Sequence, residues 1–380
     1  MLPSFYQACL QAQLSATQYL MLQMLVMLLQ KERAVTIERL ATLFAQPIQF
    51  ESRRRSLQRF LLLPQLNVRV LWFPILKHWL KLHLKKTKKV KLVIDRTQWR
   101  ERNLFVVALV WDKRAIPVYW QVLPKKGSSN LGEQQALLRP VLRLLKHYKI
   151  ILLADREFHS VKLANWLVHK QVLFALRQKR DTYIQQEGRE FQRLETLELK
   201  PGVSLYLTEV QVTKQPGLGK FDLAAYWKCN HRSKGYGEGW YILTNLGSFE
   251  AAISAFKTRF GIEAMFKDCK SGGYNLEDSH ACDSRLLSLI LLIAIAYTCT
   301  ICSGKKLKQK GVQNYICRVQ ELQRTYRRHS SFWVGLYGQL WVASMDIWSE
   351  LATELMRLKP NKLNDFKRGL QAMKLIQSAF

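Results

Sequence analysis

Asp95 and Asp155 each end an apolar run, KLVID and IILLAD, whose Val, Ile and Leu content reads as a β-strand. Carboxylates at strand ends can converge beside a sheet, and paired carboxylates are hard oxygen donors suited to Mg²⁺ or Mn²⁺. A single acid in such a place commonly does no more than open a turn. Two of them on consistent strands weigh toward a site, because this chain is poor in acids, with 28 Asp and Glu against 59 Lys and Arg. A third carboxylate, Glu263, lies in the segment FKTRFGIEAMFKDCK together with Arg259 and Lys270. At roughly 100° per residue, Phe256, Arg259, Glu263 and Lys270 project at about 0°, 300°, 340° and 320°, one helical stripe about 60° wide. The stripe has two readings. It is either a salt-bridged exposed face, with Arg259 and Glu263 paired four residues apart, or a metal carboxylate flanked by cations that fix a phosphate, Arg259 bidentately. In the second reading Asp95, Asp155 and Glu263 hold two divalent ions that serve an in-line phosphoryl displacement. Asp268 or Glu157 is the replacement should Glu263 not be the third acid.

These side chains need a sheet and a helix to carry them. After the run ending at Asp95, residues 104–111 and 116–122 are Val-rich strands, 131–148 an amphipathic helix, 150–154 a buried strand, 161–169 a helix and 172–176 another strand. That order, β, β, β, α, β, α, β, is expected of an α/β fold, a ribonuclease H-like sheet with helices on its faces. Residues 177–238 lose the helical period and read as a β-rich insertion, with Pro201-Gly202 and Pro216-Gly217 as turns. Residues 248–270 read as one long helix stopped by Gly272-Gly273.

Upstream, 15–31, 37–44 and 51–63 form three helical blocks, the third carrying Arg53, Arg54, Arg55 and Arg59. The pattern resembles a helix-turn-helix whose basic helix enters the major groove, although any small bundle with a basic solvated face would share it. Lys77, Lys81, Lys85, Lys86, Lys88, Lys89 and Lys91 then form a basic run suited to phosphate contacts. The expected division is 1–76 helical and DNA-binding, 77–91 a basic linker, 92–176 the first part of the core, 177–238 the insertion, 239–303 the second part with the Glu263 helix, and 304–380 a helical C-terminal region.

The segment from Phe256 to Lys270 resembles the Y-x2-R-x3-E-x6-K signature of the IS-four group of bacterial insertion-sequence transposases, with Arg259, Glu263 and Lys270 in register and Phe256 where the family has Tyr. Asp95 in VIDRTQW, Asp155 in LLADREF and a β-rich insertion before Glu263 agree with the same family over roughly residues 35 to 305. The resemblance implies a DDE transposase: a ribonuclease H-like core that cuts transposon ends and joins the 3′-hydroxyl to target DNA, acting on duplex DNA as a homodimer assembled on it. Phe256 keeps the aromatic face and loses a phenol that could hydrogen-bond phosphate or base. In relatives the insertion carries an aromatic residue that stacks on a flipped base, for which Trp227, Tyr236 and Trp240 are the candidates here. Another ribonuclease H-like, structure-specific nuclease and an inactive transposase-derived DNA-binding protein remain alternatives.

Composition agrees with a nucleic-acid enzyme. The formal charge is +31, spread along a chain with 48% hydrophobic and 11% aromatic residues, which excludes disordered and low-complexity classes and points to a polyanion. Seven scattered cysteines fit a reducing bacterial cytoplasm beside the nucleoid. Residues 286–302 are nearly all apolar and read as a buried helix rather than a membrane span, so Cys299 and Cys302 within it read as small hydrophobes. Cys229, His231, His280 and Cys282 have zinc-ligand types without a finger's spacing. Trp333, Trp341 and Trp348 read as a packed stripe.

Overall fold

The computed structural model describes residues 2–84, 89–215, 217–227, 238–323 and 328–380 of the 380-residue chain. In chain order come helices α1 (Ser4–Gln11), α2 (Ala16–Glu32), α3 (Ile37–Leu43), α4 (Phe50–Phe60) and α5 (Phe73–His83). Strands β1 (Lys89–Trp99), β2 (Arg102–Trp111) and β3 (Arg114–Leu123) follow, then α6 (Leu131–Leu144), β4 (Lys149–Ala154), α7 (Val161–His169) and β5 (Leu173–Arg177). The strands continue as β6 (Tyr183–Gln185), β7 (Gln192–Arg193), β8 (Ser204–Val212), β9 (Lys220–Tyr226) and β10 (Trp240–Thr244). The chain ends in α8 (Phe249–Lys257), α9 (Gly261–Cys269), α10 (Asp283–Gln309), α11 (Ser331–Ile347), α12 (Ser349–Arg357) and α13 (Leu363–Gln377). Two units divide these elements: residues 76–266 form an α/β unit, and residues 1–75 with 267–380 form a helical unit.

In the α/β unit the ten strands among the described residues belong to one sheet, in the order β3-β2-β1-β4-β5-β10-β9-β8-β6-β7. β4 and β5 run parallel to β1, and every other neighbouring pair is antiparallel. β2 is buried on both faces through Leu104–Leu109, which is why it reads as an unbroken apolar run. The strands after residue 177 extend the same sheet through β10, which pairs with β5. α6 opens with a full capping box between Asn130 and Glu133, satisfying backbone donors on both sides of its first turn.

The helix expected over 248–270 is interrupted. Thr258–Phe260 form a 3₁₀ turn between α8 and α9, and Gly261 approaches β3 so closely that a Cβ would lie 2.9 Å from the Arg114 carbonyl. The tighter turn re-aims the residues beyond it, so the uniform 100° spacing holds only on either side of the break. β1 also runs past its expected end, because its antiparallel pairing with β2 continues to Trp99 while its parallel ladder with β4 stops at Ile94↔Ala154.

In the helical unit α10 is long and apolar enough to cross a membrane, but its most apolar window is 89% buried inside the protein. That burial comes from α2 and α11. Gln30 of α2 donates to the Ala296 carbonyl and the Thr300 hydroxyl, and α10 meets α11 at Gly304 and Gly335, where a Cβ on Gly335 would sit 2.0 Å from the Thr300 carbonyl oxygen. Cys299 of α10 is buried, as expected, whereas Cys302 is only half-buried. α3 and α4 stand where the basic helical pair was expected; Thr36 occupies the N-cap position of α3 without a side-chain cap bond. Trp333 and Trp341 pack against the cluster around Val334 and Ile376, whereas Trp348 is 56% exposed.

Candidate active site

The parallel register decides where the first two acids lie. Ile94 faces Ala154, so the next residues, Asp95 inside β1 and Asp155 just past β4, stand side by side on strands about 4.8 Å apart. Each carboxylate accepts from the following backbone N–H through Oδ1, Arg96 N at 2.7 Å and Arg156 N at 2.6 Å. These bonds fix one oxygen of each acid, and the other oxygen of Asp95 faces Arg259. Asp95 is the more enclosed, its side chain 20% exposed against 33% for Asp155. Burial pushes the Asp95 carboxyl up to about 6; the Arg96 N–H and Arg259 pull it down, and Asp155 and Glu157 add to the rise.

Arg259 joins this pair to the third acid. Its guanidinium, 5% exposed, holds Glu263 Oε1 at 2.8 Å through Nη2 and Asp95 Oδ2 at 3.6 Å through Nη1. It also lies over the rings of Phe256 and Phe260, at 5.6 and 4.9 Å, while Nε is buried with no partner among the described residues. The stripe is therefore not a solvated ion-pair face at Arg259, although Glu263 itself is 54% exposed. Phe256 is 1% exposed and packs edge-on against Trp240, so the ring that replaces Tyr is a core side chain beneath the arginine. Trp240 also contacts Tyr226 and Phe260, a packing role within that cluster. The Trp227 ring packs against Gly239; Tyr236, Cys229 and His231 lie outside the described residues.

Glu157 and Asp268, the alternatives to Glu263, have other partners. Glu157 is held bidentately by Arg96, whose Nε donates to Oε1 and Nη2 to Oε2, both at 2.9 Å, and Arg96 is braced in turn by Asn103, itself fully buried. Asp268 is buried in the helical unit, where the Tyr297 hydroxyl donates to it. Lys270 pairs with Glu277 at 2.6 Å. Among the described residues no three His, Cys, Asp or Glu side chains converge as a ready metal cage. Two adjacent carboxylates still form a donor set that fits a hard divalent cation, and Glu263 is linked to Asp95 through Arg259.

A family model for the transposase DDE domain matches residues 86–299, more than half of the chain. The chain belongs to that family. It is a DNA transposase, an enzyme that cuts and joins DNA strands, and enzymes of this kind use divalent metal ions. No curated protein matches it. Among solved structures, the cryo-EM structure of a piggyBac transposase synaptic complex with hairpin DNA is similar at 14% identity and a TM-score of 0.41, over 92% of this chain and 78% of that one.

The transposase's remaining basic residues have varied surroundings. Arg53 donates to the Ala41, Gln46 and Ile48 carbonyls, stapling the turn between α3 and α4. Arg54 binds Glu51 bidentately, and Arg55, 71% exposed, shares the same carboxylate. Lys89 is exposed at the start of β1; Lys85, Lys86 and Lys88 lie outside the described residues. Sequence reasoning missed an arginine group beside Asp155: Arg177 stands 3.7 Å from its Oδ1, and Arg156, Arg177 and Arg180 converge on Glu238 at 3.3, 2.7 and 3.4 Å. It also missed the Arg96 clamp. The one sequence signal was the repeated Asp-Arg pair in VIDR and LADR.

Proposed function

We propose that the transposase belongs to the IS-four group and cuts insertion-sequence ends through a ribonuclease H-like core in which Asp95, Asp155 and Glu263 hold two Mg²⁺ or Mn²⁺ ions. The observation that carries this reading is the register that sets Asp95 beside Asp155 with Arg259 reaching from Asp95 to Glu263. The strand order 3-2-1-4-5, antiparallel across the first three and parallel from β1 to β5, supports the core assignment.

When bound, the ions would activate the attacking oxygen and stabilise the leaving one. The protein's own part is positional. The backbone N–H groups of Arg96 and Arg156 orient the two aspartates, and β1 and β4 keep them adjacent. Arg259 is the counter-charge that holds the acids before DNA arrives, and its planar fork then serves the phosphate next to the cut bond as Glu263 turns from it to the aspartates. Lys270 is proposed to contact DNA by exchanging Glu277 for phosphate.

Arg54 and Arg55 on α4 are assigned to end DNA, with Arg53 setting the turn that presents them; Arg55 and Arg59 share a cleft of about 530 Å³ with Arg285. Lys85, Lys86, Lys88 and Lys89 are assigned to backbone phosphates. A homodimer on DNA is supported by the exposed apolar side chains of α12 and its two caps, where Trp348, Leu351, Leu355 and Leu358 are 51–65% exposed. The charge and the buried α10 support a bacterial cytoplasmic protein at the nucleoid.

The test is strand cleavage of a duplex carrying the element's ends, with Mg²⁺ and with EDTA. Asp95→Ala, Asp155→Ala and Glu263→Ala are each expected to abolish cleavage and leave DNA binding within a fewfold of the parent. Cleavage retained by Glu263→Ala would remove that residue from the site.

A further inference from the structure

A cleft of about 1040 Å³ opens in the α/β unit on side chains from α5, α6, α7 and the turn before β4. Its cations are Lys77, Lys81, Arg139, Arg143, Lys146 and Lys170, and among the described residues no acid lines it. Among the described residues none of the six makes an ion pair, and all six are exposed. Leu80, Leu142 and Trp166 form an apolar floor.

Helix geometry offers a simple local explanation for some of this charge. The cleft is lined by the middle and end of α5, the C-terminal half of α6, and Trp166 and the capping Lys170 of α7, and cations favour helix C-termini. Three such termini carry about −1.5 charges in all. Six cations leave a clear positive excess, with no carboxylate among the described residues at the cleft to balance it.

Position separates the cleft from the chemistry. Tyr148, on its wall, immediately precedes β4, and Asp155 immediately follows that strand. Six strand residues at about 3.3 Å each put the two roughly 20 Å apart, near opposite ends of β4. Along one strand of a duplex that span corresponds to about six phosphates.

We propose that this cleft is a second DNA-binding surface, which takes the phosphodiester backbone of duplex DNA at a distance from the bond being cut. A duplex is too wide to enter the cleft, so the phosphates ride its cationic rim. The DNA-binding role rests on the DNA-transposase activity alone, and the distance from the cut bond rests on the placement of Asp155 in the site. The cleft strengthens and orients binding without contributing to the chemical step.

The experiment uses the full-length protein and the double variant Arg139→Glu with Arg143→Glu, beside the charge-keeping pair Arg139→Lys with Arg143→Lys. Labelled random-sequence duplex, duplex carrying the element's ends and single-stranded DNA are titrated at several salt concentrations, and single-turnover cleavage is measured at saturating protein. The glutamate pair is expected to lose about tenfold or more in duplex affinity and about 2 from the salt slope. Its thermal midpoint and saturated cleavage rate should stay at parental values, and the lysine pair should bind as the parent does. Equal loss on both duplexes assigns the cleft to the shared backbone chemistry; loss confined to the end duplex or to random duplex assigns it to transposon-end or target DNA. Unchanged duplex binding by the glutamate pair would overturn the proposal and leave the cations as helix-end charges. Loss confined to single-stranded DNA, or a saturated rate that falls with affinity, would overturn it as well. A parent that binds none of the probes would instead count against the activity itself.

Discussion

At the scale of single residues, Arg259 carries the most testable chemistry. An exposed ion pair contributes at most about 1 kcal/mol, but this guanidinium is 5% exposed and serves two acids from different elements. Lysine keeps the charge and cannot span both carboxylates. Arg259→Lys is therefore expected to cut single-turnover cleavage roughly a hundredfold, the size of losing one positioned donor, with a smaller drop in thermal midpoint. Unchanged cleavage would return Arg259 to a purely structural role. Asp95 gives a pH prediction. Its folded value, about 6, lies above the ordinary 3.8, so the folded state holds a proton that the unfolded chain has released. Stability in EDTA should be highest below pH 3.8 with respect to this group and fall as pH rises through about 6. The shift corresponds to about 3 kcal/mol, discounted to about 2 because a fifth of the side chain remains in water. Asp95→Asn should accordingly stabilise the metal-free protein by about 2 kcal/mol at pH 8 and by almost nothing at pH 4. Equal effects at both pH values would mean that packing, not ionisation, sets the difference.

Among the secondary-structure elements, the close contact between α10 and α11 sets a strict steric limit. A methyl on Gly335 would overlap the Thr300 carbonyl, so Gly335→Ala must push two helix backbones apart and should cost about 3 kcal/mol. Gly369→Ala in α13 meets nothing within 4 Å and should instead stabilise by about 0.5 to 1 kcal/mol, since alanine favours a helix. Chemical denaturation of both variants checks the pair, and a neutral Gly335→Ala would refute the tight contact. Elements were also the scale at which the sequence was most legible. The runs before Asp95 and Asp155 are local patterns, and β1 and β4 lie where those patterns predict. The union of β6 to β9 with the main sheet was hidden, because it depends on β10 pairing with β5 across more than sixty intervening residues. The 3₁₀ break at Thr258–Phe260 was hidden for a related reason: only the nearness of the Arg114 backbone explains why Gly261 stands there. Without that break in view, the stripe put Lys270 with Glu263, whereas it pairs with Glu277. Arg259, Glu263 and the two aspartates were legible by type and spacing; the Arg96–Glu157 clamp needed the fold.

For the whole molecule the net charge of +31 is the dominant quantity. A chain with 59 basic and 28 acidic residues repels itself in the folded state, and a bound polyanion relieves that repulsion. Each phosphate neutralised contributes about −0.9 to the slope of log K against log salt. If α4, the residues before β1 and the active-site cations together contact roughly six to ten phosphates, affinity should fall about 10³- to 10⁵-fold between about 50 and 200 mM salt. The same linkage acts on stability, because a ligand that binds only the folded state stabilises it by an amount that grows with its occupancy. Random-sequence duplex should therefore raise the thermal midpoint at low salt, and the rise should vanish as salt approaches the concentration at which binding is lost. Sequence-specific contacts are less sensitive to salt than phosphate contacts, so duplex carrying the element's ends should retain part of its effect where random duplex has none. A midpoint that DNA does not move at any salt concentration would show that the excess charge is not arranged for DNA, whatever the catalytic acids do.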